Sequence, residues 1–176
     1  MGLPVEVVRS ARRRKTVSAE VVDGVVRVRV PSWMNAAEVD RQVAELVPRL
    51  ERRLRSDHVD LMARAQRLAR RFGLPDPRSV SWSDGQRRQW GSCQVTSGDI
   101  RLSRRLADYP SWVLDYVLVH ELAHLLVESH GPDHDALVNR FPLAERARGF
   151  LVAKDLDPDD PDDCDEPPLL AGDVRP

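Results

Sequence analysis

Trp112-Val113-Leu114-Asp115-Tyr116-Val117-Leu118-Val119 runs into His120-Glu121-Leu122-Ala123-His124 and on through Leu125-Leu126-Val127. The pattern predicts a helix from 111 to about 128, opened by Pro110 or Ser111 and stopped by Gly131-Pro132. A helix that is apolar nearly all round has to be buried. This constrains the fold more than any other stretch, because other layers must enclose the helix on every side. Two histidines and a glutamate inside such a helix need partners, since an uncompensated buried charge is costly.

A metal ion supplies that partner. Positions i and i+4 share one helix face, about 6 Å apart along the axis, so His120 and His124 can grip one Zn²⁺ from the same side. Glu121 can then reach a water on that metal, which is the chemistry of the HExxH pattern. The bare pattern also arises by chance, and a third ligand is what raises it above that. His130 is the expected one, with His134 and Glu145 as rivals. Glu128 keeps the helical spacing but lies too far from His120. A straight helix would carry His130 about 9 Å past His124, so the helix must end and turn back near 129. Three protein ligands with a fourth position open to water make a catalytic site, whereas four would close it.

The length of 176 residues suits one domain, or one domain with a tail, and 41% hydrophobic residues allow a real core. No apolar run is long enough for a bilayer and no signal-peptide pattern opens the chain, so no membrane partner is expected. Cys93 and Cys164 are too few for a disulfide framework or a cysteine zinc site, and a cytoplasmic protein with reduced thiols is expected. Residues 1–105 hold 22 Lys and Arg against 12 Asp and Glu, while residues 106–176 hold 5 against 16. The two stretches stand at +10 and −11, behind a net charge of only −1. Such polarity fits a nucleic-acid surface, an acidic partner or a tail folded on its own basic body. Solvated surface arginines are the plainer reading.

Along the chain, Val5-Glu6-Val7-Val8, then 17–21 and 25–30, read as the start of a β-meander. Asp23-Gly24 forms its hairpin turn. Asn35 and Glu38 form a capping box for a helix from 36 to about 46, which Pro48 kinks or restarts. Leu61, Ala65, Leu68 and Phe72 make the stripe of a second helix ended by Gly73-Leu74-Pro75. Strands are expected at 79–82, 87–93 and 100–102. Trp90-Gly91-Ser92-Cys93 stands out, because glycine in a strand marks a bulge or a close backbone approach. A substrate strand added there by β-augmentation would touch Trp90, Gly91 and Ser92; a packed hairpin with buried Cys93 is the plainer alternative. Short helices are expected at 135–141 and 143–153. From 155 onward Asp, Glu and Pro dominate, a composition that cannot bury enough apolar surface to fold.

The combination of Trp90-Gly91-Ser92-Cys93, Gly98-x-Ile100-x-Leu102 and Asp115-Tyr116-Val117-x-Val119-His120-Glu121-Leu122-Ala123-His124-Leu125 resembles the YgjP-like zinc metallopeptidases, relatives of the SprT and Spartan proteases. The resemblance spans most of residues 5–153. It implies an α+β, zincin-like fold, with a small mixed or antiparallel sheet on the active-site helix beside an N-terminal β-hairpin and helices. It also implies one metallopeptidase domain over 1–154, made of a hairpin region 1–31, a helical segment 36–73 and a catalytic core 78–154. A tail, 155–176, lies outside it. His130-Gly131 matches the family's histidine after the motif, which favours His130 as third ligand. This chain departs from the family in having His134 and Asp135 where aromatics usually follow, and Gln89 where arginine often precedes the tryptophan.

The expected activity is hydrolysis of protein or peptide bonds with one Zn²⁺ per chain, held by His120, His124 and His130. Glu121 is the expected general base, and His134 and Tyr116 are candidate oxyanion contacts. The alternative is a DNA- or protein-binding module with a structural zinc. The oligomeric state is not fixed by these residues.

Overall fold

The computed structural model describes residues 2–86 and 89–155. Arg87, Arg88 and the expected acidic tail beyond Asp155 lie outside the described residues. The chain divides into two compact units, Met1–His58 and Val59–Pro176.

The first unit holds β1 (Val5–Ser10), β2 (Ser18–Val22), β3 (Val25–Pro31) and α1 (Ala36–Asp57). The Asp23-Gly24 turn is present, with φ of 51° and 77°, so both central residues adopt the left-handed backbone a tight hairpin needs. The order is β1-β3-β2, with β1 parallel to β3 and β2 antiparallel to it. This corrects the expected meander, in which β1 would neighbour β2. The central strand alternates: Val26, Val28 and Val30 are buried, while Arg27 and Arg29 pair with Glu6 and Glu20 on the other face. The Asn35–Glu38 capping box is formed. Contrary to expectation, α1 runs through Pro48 to Asp57. A proline there removes one helical hydrogen bond, and the residues to either side, Val43, Val47 and Leu50, pack on the same valine core.

The second unit opens with α2 (Leu61–Phe72), capped by Asp60 and ended by Gly73 at φ 66°. Then come β4 (Ser79–Ser83), β5 (Gly91–Gln94), β6 (Asp99–Ser103), a 3₁₀ turn at Arg104–Asp108, α3 (Ser111–His124), α4 (Pro132–Val138) and α5 (Ala144–Asp155). The sheet order is β4-β6-β5, with β4 parallel and β5 antiparallel to β6. The fold is therefore α+β, with a small mixed sheet packed on the motif helix. β5 starts only at Gly91, later than expected, and α4 starts earlier, with Pro132 in its first turn.

Eleven of the fourteen residues of α3 are buried, as its all-round apolar character requires. The helix ends at His124, short of the expected 128. Leu125, Leu126 and Val127 keep the apolar pattern, but their amides bond back to Leu122 and Ala123 in a closing turn. Only residues 125–129 remain to bring the chain back to His130. Arg64 ties α2 to α3, with Nε donating to Asp115 Oδ1 at 2.6 Å and a second guanidinium nitrogen donating to the Ser111 carbonyl.

Candidate metal centre

Early termination of α3 folds the following segment onto the motif. The His120 and His130 Nε2 atoms lie 3.1 Å apart, and those of His124 and His120 3.3 Å apart. Nitrogens sharing a tetrahedral zinc at about 2.0–2.1 Å sit about 3.3 Å from one another. His124 Nδ1 lies 3.2 Å from the Val127 carbonyl. A carbonyl only accepts, so Nδ1 carries the proton and Nε2 presents its lone pair to the cluster. Bare lone pairs at this spacing repel one another unless a cation lies between them. The donor set, all imidazole nitrogen, fits Zn²⁺.

His134 joins the group, and one nitrogen from each of His120, His124, His130 and His134 falls within 4.8 Å of the others. His134 is fully buried. Its Nε2 donates to the His120 carbonyl at 3.4 Å, and its Nδ1 has no partner among the described residues. Glu145, the other rival ligand, pairs with Arg148 at 2.7 Å instead.

Burial is the leading cause that lowers the pKa values of His120, His124 and His134, and the neighbouring histidines add to it. His134 falls to about 4. All three rings are thereby held neutral at neutral pH, the form that binds a metal. A histidine whose folded pKa lies below its ordinary value of 6.5 resists protonation. Its contribution to stability is complete above that value and is lost as pH falls below it. For the metal-free protein, acid titration followed by circular dichroism is expected to show stability falling from pH 6.5 toward about 4. His134→Phe, a neutral ring of similar size, is expected to flatten that fall. An unchanged acid profile would remove His134 from the account.

Glu121 is also fully buried, and burial pushes its carboxyl well above the usual carboxylate range. Neither oxygen has a hydrogen-bond partner among the described residues. Its carboxylate lies directly against Gly91 of β5. The glycine that sequence reasoning could read only as a close approach thus approaches the motif glutamate itself.

The other candidates fall around this centre in different ways. Trp90 is fully buried, edge-on to Tyr109 with its ring centroid 5.4 Å away, and Arg105 lies 3.9 Å over its face. Tyr116 is buried too, its ring 6.3 Å from that of His120. Burial raises the pKa of its hydroxyl against the opposing pull of nearby Arg148. Both side chains belong to the packing behind the site. Ser92 is half-buried and accepts a hydrogen bond from Gln86 Nε2 at 2.8 Å. Cys93 is half-buried, and burial, with Glu121 nearby, pushes its thiol up to about 12. The Val127 carbonyl, which fixes the His124 ring, carries no side-chain signal in the sequence.

A family model described as the YgjP-like metallopeptidase domain matches residues 49–151. No curated protein matches the chain. Among solved structures, the crystal structure of the metallopeptidase zymogen of Methanocaldococcus jannaschii jannalysin is similar over 55% of this chain and 97% of that one. The TM-score is 0.46 and the identity 14%.

Proposed function

The chain belongs to the YgjP-like metallopeptidase family, and from that premise we propose that it is a zinc endopeptidase of the HExxH type whose general base is Glu121. The observation that carries this reading is the approach of His120 Nε2 to the Nε2 atoms of His130 and His124, at 3.1 and 3.3 Å, in the same helix as a buried carboxylate with no hydrogen-bond partner among the described residues. His120, His124 and His130 hold the ion. Zn²⁺ bound there supplies Lewis acidity toward a water and toward the scissile carbonyl.

The chain's own residues do the rest. Glu121 takes a proton from the attacking water and returns it to the leaving amide nitrogen. Its donor-free surroundings keep the carboxylate a stronger base than a solvated glutamate. The Val127 carbonyl holds His124 in the ligating tautomer. Among the described residues β5 pairs on one side only, with β6, so its other edge accepts an extended peptide by main-chain hydrogen bonding. The proposed ligands and base all lie in the second unit, so the 1–154 metallopeptidase domain does its chemistry there. No helix among the described residues is long and apolar enough to cross a membrane.

The test is zinc per chain by elemental analysis, together with cleavage of an unfolded protein. The parent chain, His130→Ala and His134→Ala are compared. One zinc in the parent, lost with His130 and kept without His134, is expected, with cleavage only in the forms that hold zinc. No zinc after reconstitution, or no cleavage by the loaded chain, would overturn the reading. The fourth histidine favours one specific rival, a closed four-nitrogen structural zinc in a binding module. Loss of zinc in both variants would support that rival.

A further inference from the structure

We propose that Gly91 is a positioning residue for the reaction, holding open by its lack of a side chain the space in which the Glu121 carboxylate lies. This inference rests on the peptidase reading, but its steric core does not.

A Cβ added at Gly91 would stand 2.4 Å from Glu121 Oε1 and 2.8 Å from both Cδ and Cγ. Real Cβ atoms essentially never approach other atoms below 3.0 Å, and no other described glycine shows such a contact. Backbone conformation does not explain the residue, because the positive-φ glycines are Gly24, Gly73 and Gly98 and do not include Gly91. At a strand position paired with Leu102 of β6, any small residue would fit the backbone. The requirement for glycine comes from Glu121.

Neither side yields without cost. The clash includes Cγ, so turning the carboxylate about its last torsion does not relieve it; the whole side chain must leave its rotamer, and the carboxylate moves from its place one residue after His120. Retreat of the strand is blocked as well. The Ser103 amide donates to the Trp90 carbonyl at 2.8 Å, and the Trp90 ring is wedged between Tyr109 and Arg105. Cys93, two residues along β5, points to the same face and feels Glu121. The wall facing the base therefore includes a glycine and a neutral thiol.

The experiment is a double-mutant cycle on the full chain. Gly91→Ala, Glu121→Ala and the double variant are compared with the parent for thermal stability, zinc content, kcat and KM. Gly149→Ala, where a new methyl group meets nothing within 4 Å, is the control. Gly91→Ala is expected to lower Tm by about 5–10 °C in the parent and by almost nothing in the Glu121→Ala background. It is expected to keep its zinc and its KM while losing about 100-fold or more in kcat. If Gly91→Ala alone does not fold, the double variant is expected to fold. Equal Tm losses in both backgrounds, or a parental kcat, would overturn the proposal. If the parent hydrolyses nothing, the peptidase reading fails while the Tm cycle still decides whether Gly91 makes room for Glu121.

Discussion

Replacing Glu121 with glutamine is expected to cut peptide hydrolysis by about 10²–10⁴-fold, the usual worth of a general acid–base group, with zinc content unchanged. The exchange keeps the shape of the side chain, so loss of activity reports loss of the proton carrier. It also has a signature independent of catalysis. The folded pKa of Glu121 lies well above its ordinary 4.5 because burial disfavours the charge. For an acid shifted upward, ionisation opposes folding. The Glu121 contribution is therefore expected to fall as pH rises above 4.5, against the opposite trend of the buried histidines, and it is read as the parent-minus-glutamine difference. The glutamine variant lacks that contribution, so its advantage in Tm over the parent is expected to widen from pH 4.5 toward neutrality. Thermal melts across pH on the metal-free proteins check this. Parallel pH curves would mean that the carboxylate is not isolated in the fold, and parental turnover by the variant would remove Glu121 from the base role.

The second large effect is on stability. Zinc is expected to raise Tm by about 8–16 °C, since a ligand a thousandfold above its Kd adds about 4 kcal/mol to a domain of this size. The imidazole nitrogens of His120 and its two neighbours, 3.1 and 3.3 Å apart, are already gathered at one point that an ion can bridge. Calorimetry with added zinc and with chelator measures the difference. His124→Ala is expected to abolish it, because that variant loses both a ligand and the anchor on Val127. A zinc-independent Tm in the parent would mean that the histidine cluster binds no structural share of the ion.

Much of this architecture is legible in local pattern. The Asp23-Gly24 turn, the Asn35–Glu38 box, the α2 stripe ending at Gly73 and the buried character of α3 all follow from neighbours a few residues apart. What local pattern does not encode is pairing at a distance. The parallel match of β1 with β3 joins Val5 to Val26, and periodicity is the same whichever neighbour a strand takes. The end of α3 was misplaced for a related reason. Leu125, Leu126 and Val127 continue the apolar run, while the stop at His124 serves the return of His130 to His120. At the site, spacing and resemblance single out His120, His124 and His130, which the fold gathers together with His134. The partner of Gly91 was not, because it lies thirty positions away on another element.

The four histidines occupy a span of only fifteen residues, 120–134, whereas the wall that receives the Glu121 carboxylate comes from β5, well upstream in the chain. Closing so short a loop carries little entropic penalty, while docking the distant strand must await the non-local sheet. The cluster therefore costs little chain entropy to assemble, whereas the seat of the base is complete only once the sheet is.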